Sequence, residues 1–204
     1  MFPIIQQQCE QLASKFHEIP EERKVVLREL IRVLRESQAQ QKGLRIMYIC
    51  THNSRRSHFG QIWAAVAAAY YGIHGVVTFS AGTEVTALHV NAIQALQNLG
   101  FHIEQVTDEV NPKYAVAYQE GSALTCFSKK INDPSNPTHG FIAVMTCTDA
   151  DENCPMVHGA TARIALPYDD PKLYDDSPLE LLKYKERSLQ IGLECLYVFS
   201  KLNA

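Results

Sequence analysis

The stretch that most constrains the fold is residues 44–72. Leu44 to Cys50 (LRIMYIC) is a short, largely apolar run of β-formers that opens after Gly43 and reads as a buried strand. It runs directly into the polar segment Thr51 to Ser57 (THNSRRS). From His58 to Gly72 the chain is alanine-rich and full of strong helix formers, with Gly72 as the stop. A second round follows, with a strand at Val76–Ser80 ending in Ala81-Gly82 and a helix at about Leu88–Leu99, stopped by Gly100. β and α segments alternating at this spacing predict a parallel sheet covered by helices, an α/β fold.

The remaining segments fit that frame. Phe141 to Met145 is a further buried-strand candidate ending at Thr146-Cys147, and Arg163 to Leu166 is a shorter one before PYDDP. Ser177-Pro178-Leu179-Glu180 has the form of a capping box and opens a helix to about Leu202 with Tyr184, Ile191, Cys195, Val198 and Leu202 inward. Residues 1–42 carry two amphipathic helical patterns, Ile5, Cys9, Leu12 and Phe16 on one face, then Val26, Leu27, Leu30, Ile31 and Leu34 on another. They predict an N-terminal helical hairpin preceding one domain over 43–204, its role packing or association. The turn-rich cluster Asn132 to Pro137 marks residues 118–140 as an insertion running over the surface.

Composition narrows the class of function. The 204 residues are 46% hydrophobic and 20% charged, the balance of an ordinary globular protein. The longest nearly apolar run, Trp63 to Ile73, falls short of a membrane span. The N-terminus lacks the basic region of a secretory signal, so a cytoplasmic protein is expected. A net charge of -3 without a lysine or arginine cluster argues against a nucleic-acid partner, and no membrane partner is expected either. Six cysteines are too few for a disulfide scaffold in a chain of this length. No histidine and cysteine spacing suits zinc, and Asp149, Asp151 and Glu152 lack the pattern of a calcium loop, so no metal and no cofactor are expected.

The chemistry concentrates at Cys50-Thr51-His52-Asn53-Ser54-Arg55-Arg56-Ser57, a Cys-x5-Arg-Ser pattern placed at a strand-to-helix turn. Successive backbone N–H groups there, with the N-terminus of the following helix, form a concave site for a tetrahedral oxyanion. Arg56 adds a planar two-pronged clamp, and the same field favours the thiolate of Cys50, which makes it a nucleophile.

The segments CTHNSRRS, FSAGT (Phe79 to Thr83) and YDDP (Tyr168 to Pro171) resemble the low-molecular-weight protein tyrosine phosphatase superfamily. VMTCTDADENCP (Val144 to Pro155) further resembles its thioredoxin-coupled arsenate reductases. The resemblance covers residues 44–203 and implies a three-layer αβα fold around a four-stranded parallel sheet. By it, Cys50 is the nucleophile, Arg56 the oxyanion clamp, Ser57 the hydroxyl that stabilises the thiolate, Asn53 the residue shaping the loop, and Asp170 the general acid. It also implies a relay in which Cys147 attacks the Cys50–arsenic adduct and Cys154 then takes over the disulfide for reduction by a thioredoxin-type partner. Two residues depart from the pattern. His52 stands where those reductases usually have glycine, which matters if that position needs positive φ. Arg55 replaces a frequent cysteine and is expected to add positive charge beside the anion. The activities implied are arsenate reduction or, alternatively, phosphomonoester hydrolysis through a cysteinyl-phosphate. A third, non-catalytic reading is an anion or redox sensor.

Overall fold

The computed structural model describes residues 1–40, 43–154 and 156–202. Helices α1 (Pro3–Ala13) and α2 (Glu21–Ala39) precede strand β1 (Leu44–Cys50), helix α3 (Arg56–Tyr70), strand β2 (Val76–Gly82) and helix α4 (Val90–Asn98). Strands β3 (His102–Gln105), β4 (Tyr114–Gln119) and β5 (Ser122–Cys126) come next. Then follow β6 (Phe141–Met145), α5 (Thr148–Asn153), β7 (Ala160–Ala165) and α6 (Glu180–Ser200). Gln41, Lys42, Pro155 of the VMTCTDADENCP segment, Asn203 and Ala204 lie outside the described residues.

The main sheet has four parallel strands in the order β2-β1-β6-β7. β1 is therefore central, and Cys50 at its end stands level with Gly82 of β2. Its alternate residues face opposite ways, as the two-residue strand period requires. Ile46 and Tyr48 join the larger core with α1, α2, α3, α4 and α6, whereas Met47, Ile49 and Cys50 join a smaller one with Ala143, Met145, Cys147 and Ala150. The helices on one face, the sheet, and α5 with its flanking chain on the other make a three-layer α/β architecture. β1 is buried on both faces, which explains its near-continuous apolar run.

α1 and α2 bury most of the residues that their periodicity marked, Ile5, Cys9, Leu12, Leu27, Leu30, Ile31 and Leu34, while Val26 and Phe16, the latter beyond the end of α1, are partly buried. Those side chains belong to the same core as Trp63, Tyr184 and Phe199. Glu21 and Glu22 occupy the first turn of α2, as the helix dipole favours. Among the described residues no helix is long and apolar enough to cross a membrane.

The structure differs from the expected surface insertion at 118–140. β3, β4 and β5 form a separate three-stranded antiparallel sheet. Beyond it Ser128, Lys129 and Asn136 are buried. The turn cluster at 132–137 masks this in the sequence, because a hairpin of Tyr114-Ala115-Val116-Ala117-Tyr118 followed by Ser122–Cys126 has little apolar contrast. After Cys147, Thr148 to Asn153 is a short helix capped by the Cys147 side chain, with Cys154 as its C-cap.

Candidate active site

Cys50 ends the central strand and Arg56 opens α3, so the loop between them spans the sheet edge to a helix N-terminus. Arg55 occupies the N-cap position of α3, yet no side chain caps that end. Among the described residues, the backbone N–H groups of His52 to Arg56 donate to no backbone acceptor outside the helix. Such a cluster of unused donors at a helix start favours an anion.

The loop's shape rests on Asn53, which is fully buried with φ at +46°. Asparagine tolerates this left-handed conformation better than most residues. Its Nδ2 donates to Ser57 Oγ at 2.8 Å, and its Oδ1 accepts from Lys129 N–H at 2.9 Å. Ser57 Oγ lies 3.1 Å from Cys50 Sγ, within hydrogen-bond reach of the sulfur. The concern over His52 is met at a different position: the loop residue with positive φ is Asn53, so histidine stands at 52 without backbone strain. The His52 imidazole Nε2 lies 3.3 Å from a Glu84 carboxylate oxygen.

Behind Asn53 lies a buried polar chain that includes three residues with no role foreseen in the sequence. Burial pushes the His58 imidazole down to about 3, so the ring is neutral. Its Nε2 faces the Asn53 carbonyl at 2.9 Å and must donate there, since a carbonyl only accepts. Nδ1 then accepts from Ser80 Oγ at 3.2 Å, and Ser80 accepts from Lys129 Nζ at 3.4 Å. Burial also lowers the Lys129 ammonium below its ordinary value. Ser80 belongs to the FSAGT motif, which could have drawn attention to it; Lys129 carried no such signal.

Gly82, from the same motif, has a steric purpose. A Cβ there would fall 2.7 Å from Thr51 O and 2.8 Å from Asn53 N, contacts that backbone atoms cannot yield. The other loop residues anchor outward. Ser54 Oγ donates to Ala87 O, and the Ser54 carbonyl accepts from His89 N–H. Arg55 departs from the expected charge beside the anion. Its Nε donates to Tyr184 Oη at 2.6 Å and its Nη2 lies 3.3 Å from Asp175, so that charge is engaged away from Cys50.

Arg56 is buried and doubly held: Nη1 donates to the Tyr168 carbonyl at 2.8 Å and Nη2 to Asp170 Oδ2 at 2.5 Å. Its buried Nε has no partner, a donor left for an oxyanion because a buried guanidinium N–H without an acceptor is costly. A cavity of about 360 Å³ is lined by Arg56, Cys147, Asp149, Tyr168 and Asp170, among others.

Cys147 is buried at the end of β6, next to β1 in the sheet. Its Sγ accepts from Ala150 N–H and lies 3.4 Å from Thr51 Oγ1, the residue after Cys50. Cys154 is half-buried, and its Sγ lies 3.5 Å from the Met156 carbonyl. It faces a different recess, about 460 Å³, lined also by Thr83, Ile131, Met156 and Val157. Asp151, in the acidic run between the cysteines, pairs with Arg163 at 2.6 Å. Among the described residues no group of three or more histidine, cysteine or carboxylate side chains is arranged to hold a metal ion.

No family model matches the chain. It is 29% identical over 126 residues to an arsenate reductase of Bacillus subtilis, covering 62% of this chain and 73% of that protein. It is 28% identical over 127 residues to an arsenate reductase of Staphylococcus aureus, covering 62% of this chain and 77% of the relative. Among solved structures, its fold is similar to that of an arsenate reductase from Archaeoglobus fulgidus. That match has a TM-score of 0.50 at 13% identity and covers 76% of this chain and 98% of the other. With the strand-loop-helix cradle and the sheet order described above, the chain is similar in sequence to arsenate reductases and has the three-layer fold of the low-molecular-weight protein tyrosine phosphatase superfamily.

Proposed function

We propose that this protein reduces arsenate to arsenite with electrons from its own thiols and an external thioredoxin-type dithiol. The observation that carries the reading is the position of Cys147, which lines the same cavity as Arg56 and Asp170 and touches the residue after Cys50. A hydrolase needs only water at that place.

Arsenate enters with its oxygens on the loop N–H groups and the free Arg56 Nε. The Cys50 thiolate, supported by Ser57, bonds to arsenic as one oxygen leaves, protonated to water with Asp170 as the acid. Cys147 as thiolate then attacks Cys50 sulfur. The sulfur–arsenic bond breaks with its electron pair on arsenic, arsenite departs, and a Cys50–Cys147 disulfide remains. The Cys154 thiolate attacks Cys147 sulfur, returns Cys50 to its thiolate and leaves a Cys147–Cys154 disulfide for the external dithiol.

The last exchange has a geometric demand. Cys147 and Cys154 bracket α5, and at helical rise their Cα atoms are about 10 Å apart, beyond the span of about 7 Å that a disulfide tolerates. α5 must unwind for the bridge to close. It is short and stands on one buried residue, Ala150, so it is suited to open locally.

The test is a count of arsenite released per enzyme without added thiol, with disulfides mapped by mass spectrometry. Cys154→Ser should release one equivalent and stop with Cys50 joined to Cys147. Wild type that releases no arsenite but hydrolyses an aryl phosphate would replace this reading with phosphomonoester hydrolysis, in which Cys50 carries the phosphoryl group and Asp170 protonates the leaving oxygen.

A further inference from the structure

The site described so far draws on residues from Cys50 onward, yet a chain of contacts leads from it to the N-terminal helices. Arg23, in the first turn of α2, places Nε 2.9 and 3.0 Å from the two carboxylate oxygens of Glu194 on α6. Glu194 is almost wholly buried, and its Oε2 also accepts from Tyr168 Oη at 2.7 Å. The Arg23 guanidinium carbon lies 4.5 Å from the centre of the Tyr168 ring. The Tyr168 ring is thus gripped from two sides, by a cation over its π face and a carboxylate at its hydroxyl.

The main chain of Tyr168 does different work. Its carbonyl takes Arg56 Nη1, and its N–H donates to Thr146 O, the residue before Cys147. Two residues on, Asp170 takes the other prong of Arg56. Tyr168 therefore transmits whatever fixes its ring to the clamp, to the acid and to the end of β6. Removing one member of a buried ion pair is costly to the other, and Arg23 is the ion-pair partner the structure gives the buried Glu194.

We infer that Arg23 is a positioning residue for the oxyanion clamp, so that the first turn of α2 is part of the machinery of the site. The inference rests on the reading of the Cys50–Arg56 loop as an oxyanion site. It adds that the N-terminal segment sets how well Arg56 is aimed, in addition to covering the core. With Arg23 absent, Tyr168 loses one of its two grips and Arg56 is held by a less fixed carbonyl. Misplacement of a binding group by a fraction of an ångström to one ångström weakens function by about ten- to a hundredfold.

The experiment measures inorganic phosphate affinity by calorimetry, per folded molecule, in the full-length chain, alongside KM and kcat for arsenate. Arg23→Ala should raise the phosphate Kd and the arsenate KM by about tenfold or more. Arg23→Lys, which restores the charge to Glu194 but not the flat guanidinium on the ring, should recover part of the loss. Arg28→Ala, an exposed cation on the same helix, is the control and should change neither. A merely structural role would lower the folded fraction and the apparent kcat and leave Kd and KM alone; that result overturns the inference. Should Arg23→Ala not fold, the uncharged pair R23M/E194Q removes the ion pair without stranding a buried charge, and wild-type phosphate affinity in that variant likewise overturns it. Wild type that binds phosphate but reduces no arsenate refutes the reductase reading and leaves this test intact. Wild type that binds no phosphate refutes the oxyanion site and the positioning role together.

Discussion

Asn53 offers the sharpest test of how the loop is held. In Asn53→Gly the backbone keeps its left-handed conformation without penalty, but both side-chain bonds vanish. The Lys129 N–H, buried and deprived of its acceptor, costs about 1–3 kcal/mol, and the lost donor to Ser57 about 1 kcal/mol more. The expected destabilisation is therefore about 2–4 kcal/mol. Asn53→Ala suffers the same losses and must also place a Cβ at φ +46°, adding about 1–2 kcal/mol. For a chain of this length each kcal/mol lowers Tm by about 2–4 °C, so the glycine variant should melt about 4–16 °C below wild type and the alanine variant a further 2–8 °C below that. Asn53→Asp retains the acceptor for Lys129 N–H but puts an unpaired carboxylate at a fully buried position, so it too should lose stability. The assays are urea and thermal unfolding for stability and phosphate titration for the site. An alanine variant no less stable than the glycine variant would refute the conformational argument. Two variants both within 1 kcal/mol of wild type would refute the claim that these hydrogen bonds hold the loop.

Gly82→Ala should fold but lose phosphate affinity by about tenfold or more, because its Cβ displaces the backbone at Thr51 and Asn53; unchanged affinity would show that the loop has room to move. His58 governs part of the acid response. Its ordinary value of 6.5 falls to about 3 in the folded chain, so below pH 6.5 the unfolded state takes up a proton the folded state refuses. Its contribution is therefore present above 6.5 and is lost progressively down to about 3. The urea midpoint of wild type should decline across that window more steeply than that of His58→Gln, and parallel slopes would contradict the assignment. Burial pushes the thiols of Cys9, Cys126 and Cys195 up to about 12, so iodoacetamide at pH 8 should leave all three unmodified until the protein is denatured. Labelling of Cys126 in the native state at the rate of Cys154 would count against this.

The parts of the fold that the sequence disclosed are those where one physical signal dominates. β6, and β1 apart from the exposed Arg45, are apolar because they are buried on both faces, and α3 combines helix formers with a glycine stop. The position of the Cys50–Ser57 loop was legible because a polar segment falls between an apolar run and a helix-forming one. What stayed hidden depends on distant partners. Lys129 looks like any surface lysine, and its burial follows from the approach of Ser80 and Asn53, residues 49 and 76 positions away. The left-handed residue was sought at His52 because glycine is usual there, whereas the side-chain bonds of Asn53 compensate for the conformation at the next position. Arg55 was placed beside the anion on sequence adjacency, but successive residues entering a helix point to different sides, and Tyr184 with Asp175 claims its charge. α5 is silent in the sequence because five polar residues around a lone Ala150 carry no periodic apolar signal, and the cap that starts it is a cysteine thiol.

The long sequence separations within the site bear on when reactivity appears during folding. Asn53 meets Lys129 across 76 positions, Arg56 meets Tyr168 across 112 and Asp170 across 114, and Arg55 meets Tyr184 across 129. Contacts this remote form late, because the chain entropy of closing such loops must be overcome before any of them is rewarded. The β1–loop–α3 unit is complete by residue 70, but its asparagine brace waits for Lys129 and its clamp for Tyr168 and Asp170. A growing or partly folded chain thus presents Cys50 before the contacts that shape its loop have formed. On the proposed reading, the same wiring ties assembly of the site to completion of the fold, so an incompletely folded molecule lacks the arrangement around Cys50 that the reaction uses.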